Sequence, residues 1–152
     1  MSDALIGDDG LPMTRVGRWT LEKHERLVRY FDITHGVRAR FTRTQSSYIE
    51  LFCGPGRSAV EDDGEVIEGS PICAVRAAQE SGGPYMDVHL ADIDGTSTDA
   101  ARKRLPRKTE RVHSYVGEAE HTQSIRSCRS CEGQPRKVSA LRNGGRGHPL
   151  CC

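Results

Sequence analysis

The run Tyr48-Ile49-Glu50-Leu51-Phe52-Cys53-Gly54-Pro55-Gly56-Arg57 constrains this chain most, because an apolar strand breaks abruptly into a glycine turn. Ile49, Leu51 and Phe52 read as a buried parallel strand spanning about residues 47–53. Gly54 and Gly56 lack the Cβ atoms that would block a tight turn or the close approach of a ligand. Glu50 is the odd member, since a carboxylate inside such a strand is costly unless it faces the carboxyl ends of the strands, where open α/β sheets bind ligands.

The segments on either side supply alternating helices and strands. A helix is expected from about Trp19 to Gly36, with Leu27, Val28, Tyr30, Phe31 and Val37 as its apolar surface and Gly36 as its C-cap. Arg18, Glu22, Lys23, Glu25, Arg26 and Arg29 read as its solvated face, and residues 38–46 as a basic connector. The acidic run Glu61-Asp62-Asp63-Gly64-Glu65 reads as a surface loop rather than a metal site. Ser70-Pro71 places a capping hydroxyl before a proline, so a helix starts near Pro71 and ends at Ser81-Gly82-Gly83-Pro84.

A second strand follows over Met86–Asp92, then a helix from about Thr98 to Leu105 and a third strand over Arg111–Val116. Asp92 ends the second strand, where a carboxylate can accept both hydroxyls of a ribose; the competing reading is a helix N-cap or turn residue. Glu118 stands in the same relation to the third strand, with Ala119 beside it. That pair suits an adenine amino group and ring, or else a solvated turn.

The motifs together resemble the cofactor half of class I S-adenosylmethionine-dependent methyltransferases, with Glu50 and the Gly54-Pro55-Gly56 turn as first motif, Asp92 as second and Glu118 as third. Leu11-Pro12, Trp19, Lys23, the run from Tyr48 to Arg57, and Gly69-Ser70-Pro71 narrow the resemblance to the three-Cys-motif partner protein family, TcmP, over about residues 11–120. The resemblance implies a Rossmann-like three-layer α/β fold present as its N-terminal half, with a preceding helix and an irregular C-terminal tail. It also implies S-adenosylmethionine as cofactor and a protein with a three-cysteine motif as partner. The cofactor-binding set it implies is Glu50, Phe52, Gly54, Pro55, Gly56, Asp92, Ile93, Glu118 and Ala119. It carries over no catalytic residue, because the fourth strand that would border the transferred methyl is not recognised, and it assigns no metal. Phe52 departs from the family pattern, occupying the place of a loop glycine, and the stretch between Gly56 and Ser70 is longer than the compact form.

Three segments follow from this reading: an extension over 1–18, the partial methyltransferase-like domain over 19–120, and an irregular basic tail over 121–152. Residues 1–120 hold 16 basic and 20 acidic side chains, whereas 121–152 hold 6 and 1, so the sign of the charge reverses at the boundary. The tail reads as out-of-frame sequence closing a truncated, inactive protein; the alternative is a non-enzymatic module whose tail binds nucleic acid or an acidic protein. Cys128-x-x-Cys131 has half the spacing of a zinc knuckle, but the adjacent Cys151-Cys152 is a poor second pair. Cys53 and Cys73 read as buried, unactivated thiols. With no apolar run long enough to span a bilayer and no secretion signal at Met1, a cytoplasmic location without membrane contact is expected.

Overall fold

The computed structural model describes residues 5–41, 46–109 and 111–117. In chain order the elements are β1 (Leu5–Ile6), β2 (Pro12–Val16), α1 (Trp19–Ile33), α2 (His35–Phe41), β3 (Ser47–Glu50), β4 (Arg57–Val60), β5 (Val66–Glu68), α3 (Ser70–Glu80), β6 (Asp87–Asp92), α4 (Gly95–Arg104) and β7 (Arg111–Val116). The architecture is α/β. Strands β3, β6 and β7 form a parallel sheet in that spatial order, with Ser47 opposite Asp87 and Asp87 opposite Arg111. Parallel neighbours need crossovers, and α3 and α4 supply them.

Both crossover helices cover the same face of this sheet. Val88 and Leu90 of β6 pack with Ile72 and Val75 of α3 and with Ala101 and Leu105 of α4. Helix α1 lies outside α3, where Phe31 meets Ala74 and Ala77, and the Phe31 ring also stands edge-on to Tyr48 and Tyr85. The i, i+4 spacing of Leu27 and Phe31 puts them on this inner stripe, so Val28, Tyr30 and Val37, expected as core surface, face solvent instead. The charges of α1 lie on its solvated side as expected, with Arg26–Glu22 and Arg29–Glu25 paired one turn apart.

Helix boundaries differ from expectation where side chains intervene. Helix α1 stops at Thr34, not Gly36, and the chain turns at once into α2, so the basic connector expected over 38–46 is helical as far as Phe41. Arg38 in α2 is buried: its guanidinium donates to the carbonyls of Phe31 and Gly83 and to the hydroxyls of Thr34 and Ser81, and it lies over the Phe31 and Tyr85 rings. Gly69, rather than Ser70, caps α3, while Pro71 stands in its first turn as expected. Helix α4 begins at Gly95, three residues before the expected Thr98, because Asp94 caps it by accepting the N–H groups of Thr96 and Ser97 at 3.0 and 3.2 Å.

The strand expected over 47–53 is shorter. Among the described residues β3 is an edge strand with β6 as its single neighbour, and Tyr48 and Glu50, not Ile49, point toward the helices. Ile49, Leu51 and Phe52 are therefore 50%, 40% and 75% exposed, not buried. Beyond Glu50 the chain bulges outward, then returns as the buried Cys53 donates its N–H to the Ala91 carbonyl at 3.0 Å.

A second, mixed sheet has the order β1-β2-β4-β5, with β2 parallel to β4 and both hairpins antiparallel. The acidic run 61–65, expected as a loop, closes the β4–β5 hairpin, with Val60 N–H donating to the Glu65 carbonyl at 2.8 Å and Asp63 pairing with Arg18 at 3.3 Å. Arg104 fastens this sheet to α4. Its side chain is only 5% exposed, and Nε and Nη2 donate to the two carboxylate oxygens of Asp9, both at 2.7 Å. The carbonyls of Leu11, Pro12 and Pro55 accept the rest, at 3.2, 2.7 and 2.8 Å, so all five guanidinium N–H groups are used. No helix among the described residues is long and apolar enough to cross a membrane.

The Arg104 hydrogen bonds hold the Asp9 carboxyl well below the usual carboxylate range, against an opposing push from burial, with the Leu11 N–H and the charges of Arg104 and Arg57 assisting. The stabilisation is fully present above the ordinary carboxylate pKa of about 3.9 and is lost as pH falls through the lower folded value. Melting temperatures of the wild type and Asp9→Asn should therefore differ at neutral pH and converge in strong acid. Arg104→Ala should cost about 3 kcal/mol in urea denaturation, since it strands the carbonyls and the carboxylate together.

Candidate functional site

The carboxyl end of β6 is a junction. Asp92 Oδ2 accepts the Gly54 N–H at 2.9 Å, Oδ1 accepts the Asp94 N–H at 3.1 Å, and the Asp92 carbonyl accepts the Gly117 N–H at 3.0 Å. One residue thus gathers the glycine turn after β3, the entry to α4 and the end of β7. Of the competing reading of Asp92, the helix cap belongs to Asp94, two residues on, whereas the bond from the Asp94 N–H to Oδ1 makes Asp92 a turn residue as well. A carboxylate offers about four lone-pair positions, and among the described residues N–H groups take one on each oxygen. Asp92 retains acceptor capacity on both.

The turn itself divides into two parts. Gly54 has φ +54°, and a Cβ there would meet none of the described residues within 4 Å, so open space lies over it among them. Gly56 has φ +80°, but its missing Cβ is needed by the protein: it would stand 3.1 Å from the Ala101 Cα, and Gly69 closes the other side with its N–H on the Gly56 carbonyl at 2.8 Å. The expected ligand approach therefore applies to Gly54, and Gly56 is a packing residue. Pro55 is buried and its carbonyl is committed to Arg104. Phe52 and Ile93, which follow the ends of β3 and β6, expose 75% and 69% of their surface.

Glu50 does not face open space at the strand ends. Its carboxylate accepts the Tyr48 hydroxyl and, at 3.1 Å, the Ser70 hydroxyl, which ties β3 to the first turn of α3. Burial raises the Tyr48 pKa, and the neighbouring Glu50 charge raises it further, so the phenol remains the donor. Cys53 lies just below the turn. Burial, aided by the Asp92 charge, pushes its thiol up to about 11, in keeping with the expected inert cysteine. Cys73 is half-buried, with its thiol 3.6 Å from the Glu68 carbonyl, and burial raises its pKa also. Glu118 and Ala119, Cys128 and Cys131, and the whole of 121–152 lie outside the described residues.

A second polar group, which sequence reasoning missed, occupies the face of the sheet opposite α3 and α4. Asp87 accepts two hydrogen bonds from Arg111 at 2.8 Å and approaches His113 Nε2 at 3.0 Å, while His89 Nδ1 lies 3.0 Å from the Tyr115 hydroxyl. The His89 and His113 rings are stacked at 4.5 Å. Burial raises the Asp87 pKa, but Arg111 and His113 outweigh it and the net shift is downward. Burial lowers His89, with the His113 charge adding to the effect against Asp87. The signal was available in the alternation Asp87-x-His89 and Arg111-x-His113-x-Tyr115 on strands that pair in register.

No family model, curated protein or solved structure matches the chain.

Asp92→Asn preserves shape but turns an amide N–H₂ toward one of the two backbone donors, so it should lower stability by about 1–3 kcal/mol in urea denaturation. Alkylation mapped by mass spectrometry should leave Cys53 unlabelled in folded protein at pH 8 and label it fully after denaturation.

Proposed function

We propose that the chain binds S-adenosylmethionine at the carboxyl ends of β3 and β6, as the cofactor half of a Rossmann-like methyltransferase-type protein of the three-Cys-motif partner kind. The observation that carries this reading is the hydrogen bond from Gly54 N–H to Asp92 Oδ2, which brings the glycine turn and the second-strand carboxylate into one place. The parallel order β3-β6-β7, with a helix in each crossover, supports it, because open α/β sheets take ligands outside the carboxyl ends of their strands.

The residues present suit the cofactor in three respects. Asp92 keeps an acceptor position on each oxygen for the two ribose hydroxyls. The open space over Gly54 admits the methionine portion close to backbone. Phe52 and Ile93 offer exposed apolar surface to the adenine ring. Glu50 acts indirectly, bracing β3 against α3 through Tyr48 and Ser70. When bound, the cofactor would supply an electrophilic methyl group; none of the described residues is assigned a step of its transfer. A protein with a three-cysteine motif remains the proposed partner.

Titration calorimetry of folded protein with S-adenosylmethionine and S-adenosylhomocysteine tests the reading. Binding should appear for both, with thermal stabilisation of about 2.7 kcal/mol at a hundred times Kd. Asp92→Ala should weaken binding at least tenfold, or about 1.4 kcal/mol. Absence of heat and of a melting shift, or an unchanged affinity in Asp92→Ala, would remove the proposal.

A further inference from the structure

We infer that Asp87, His89 and His113 form a binding site for a divalent transition-metal ion such as zinc, on the sheet face opposite α3 and α4 and independent of the strand-end site. A ring nitrogen from each histidine and a carboxylate oxygen from Asp87 all lie within 4.8 Å of one another. Bond lengths of about 2.0–2.2 Å to zinc place donor atoms roughly 3.3–3.6 Å apart in a tetrahedron, and the 3.0 Å between His113 Nε2 and Asp87 Oδ1 needs to widen by only a few tenths of an ångström to reach it. The site is assembled by pairing rather than by a loop. His89 stands directly opposite His113 in the β6–β7 ladder, and Asp87 precedes His89 by two residues on the same face.

The surroundings of the donors match the way such ligands are held. His89 Nδ1 meets the Tyr115 hydroxyl at 3.0 Å; when Nδ1 carries the proton and donates it, the Nε2 lone pair is left for the ion. Asp87 and His89 are buried, whereas the His113 side chain is 42% exposed and gives an entry side. The stacked rings need only fan apart about their terminal torsions, which have broad minima. Two imidazoles and one carboxylate favour zinc, cobalt, nickel or iron over magnesium and calcium, which prefer all-oxygen sets. Arg111 is the built-in competitor: it donates to both oxygens of Asp87, and metal binding requires it to yield Oδ1 while it can keep Oδ2. Asp87 lies five residues before Asp92 along β6, about 16 Å at strand spacing, so the two sites are at opposite ends of one strand.

The test uses the full chain with Cys128, Cys131, Cys151 and Cys152 replaced by Ser, titrated with cobalt(II) and then zinc(II). We expect one ion per chain, d–d absorption without thiolate-to-cobalt charge transfer, displacement by zinc, and no competition from excess magnesium. His113→Ala, chosen because the residue is half-exposed, should keep its melting profile without metal and lose affinity at least a hundredfold. Arg111→Gln should bind severalfold more tightly, a gain that a purely structural Asp87–Arg111 pair would not give. Failure to take up one equivalent at micromolar metal, a charge-transfer band reporting cysteine ligation, or unchanged affinity in His113→Ala would each overturn the assignment.

Discussion

The Arg104 guanidinium is the interaction on which the arrangement of the two sheets depends. A cation with only 5% of its side chain exposed is tolerable because each of its five N–H groups has an acceptor, and one acceptor pair is the Asp9 carboxylate. Those acceptors come from the β1–β2 hairpin and from the glycine turn, while the arginine itself belongs to the last turn of α4. Replacing any one of them would leave the others paired, but removing the cation releases all at once. The position of Pro55, and hence the shape of the turn above Asp92, is inherited from this contact.

Much of the parallel unit was legible in the sequence because its elements are locally consistent. Strand β7 has the expected bounds, Arg111–Val116, and β6 differs from expectation by a single residue at its start. The Ser70-Pro71 signal located α3 to within a residue, although the hydroxyl serves Glu50 and not the helix end. What pattern alone concealed was the neighbourhood of each element. Ile49 and Leu51 read as core because they are apolar, yet exposure is decided by which sheet edge they occupy. Arg38 reads as a linker charge, yet four polar acceptors and two aromatic rings make it a core residue.

The candidate site was legible to the extent that its logic is sequential. A glycine turn follows one strand and a carboxylate ends the next, and they meet at 2.9 Å. Glu50 misled because a charged residue in an apolar strand invites a ligand, whereas Tyr48 and Ser70 satisfy it internally. The Asp87, His89 and His113 group eluded a linear reading for the opposite reason. Its members are unremarkable within either strand and become a cluster only through the register that sets His89 opposite His113.

The glycine turn carries a consequence for how such a chain can vary. At Gly56 and Gly69 the neighbouring backbone stands within about 3 Å of where a side chain would begin, so volume opposes any side chain at both, and at Gly56 the positive φ opposes it further. At Gly54 the barrier is only the handedness of the backbone, which asparagine and aspartate tolerate better than other residues. Sequence drift is thereby channelled: the floor of the turn is immovable, and the roof can change its chemistry without disturbing the helix below.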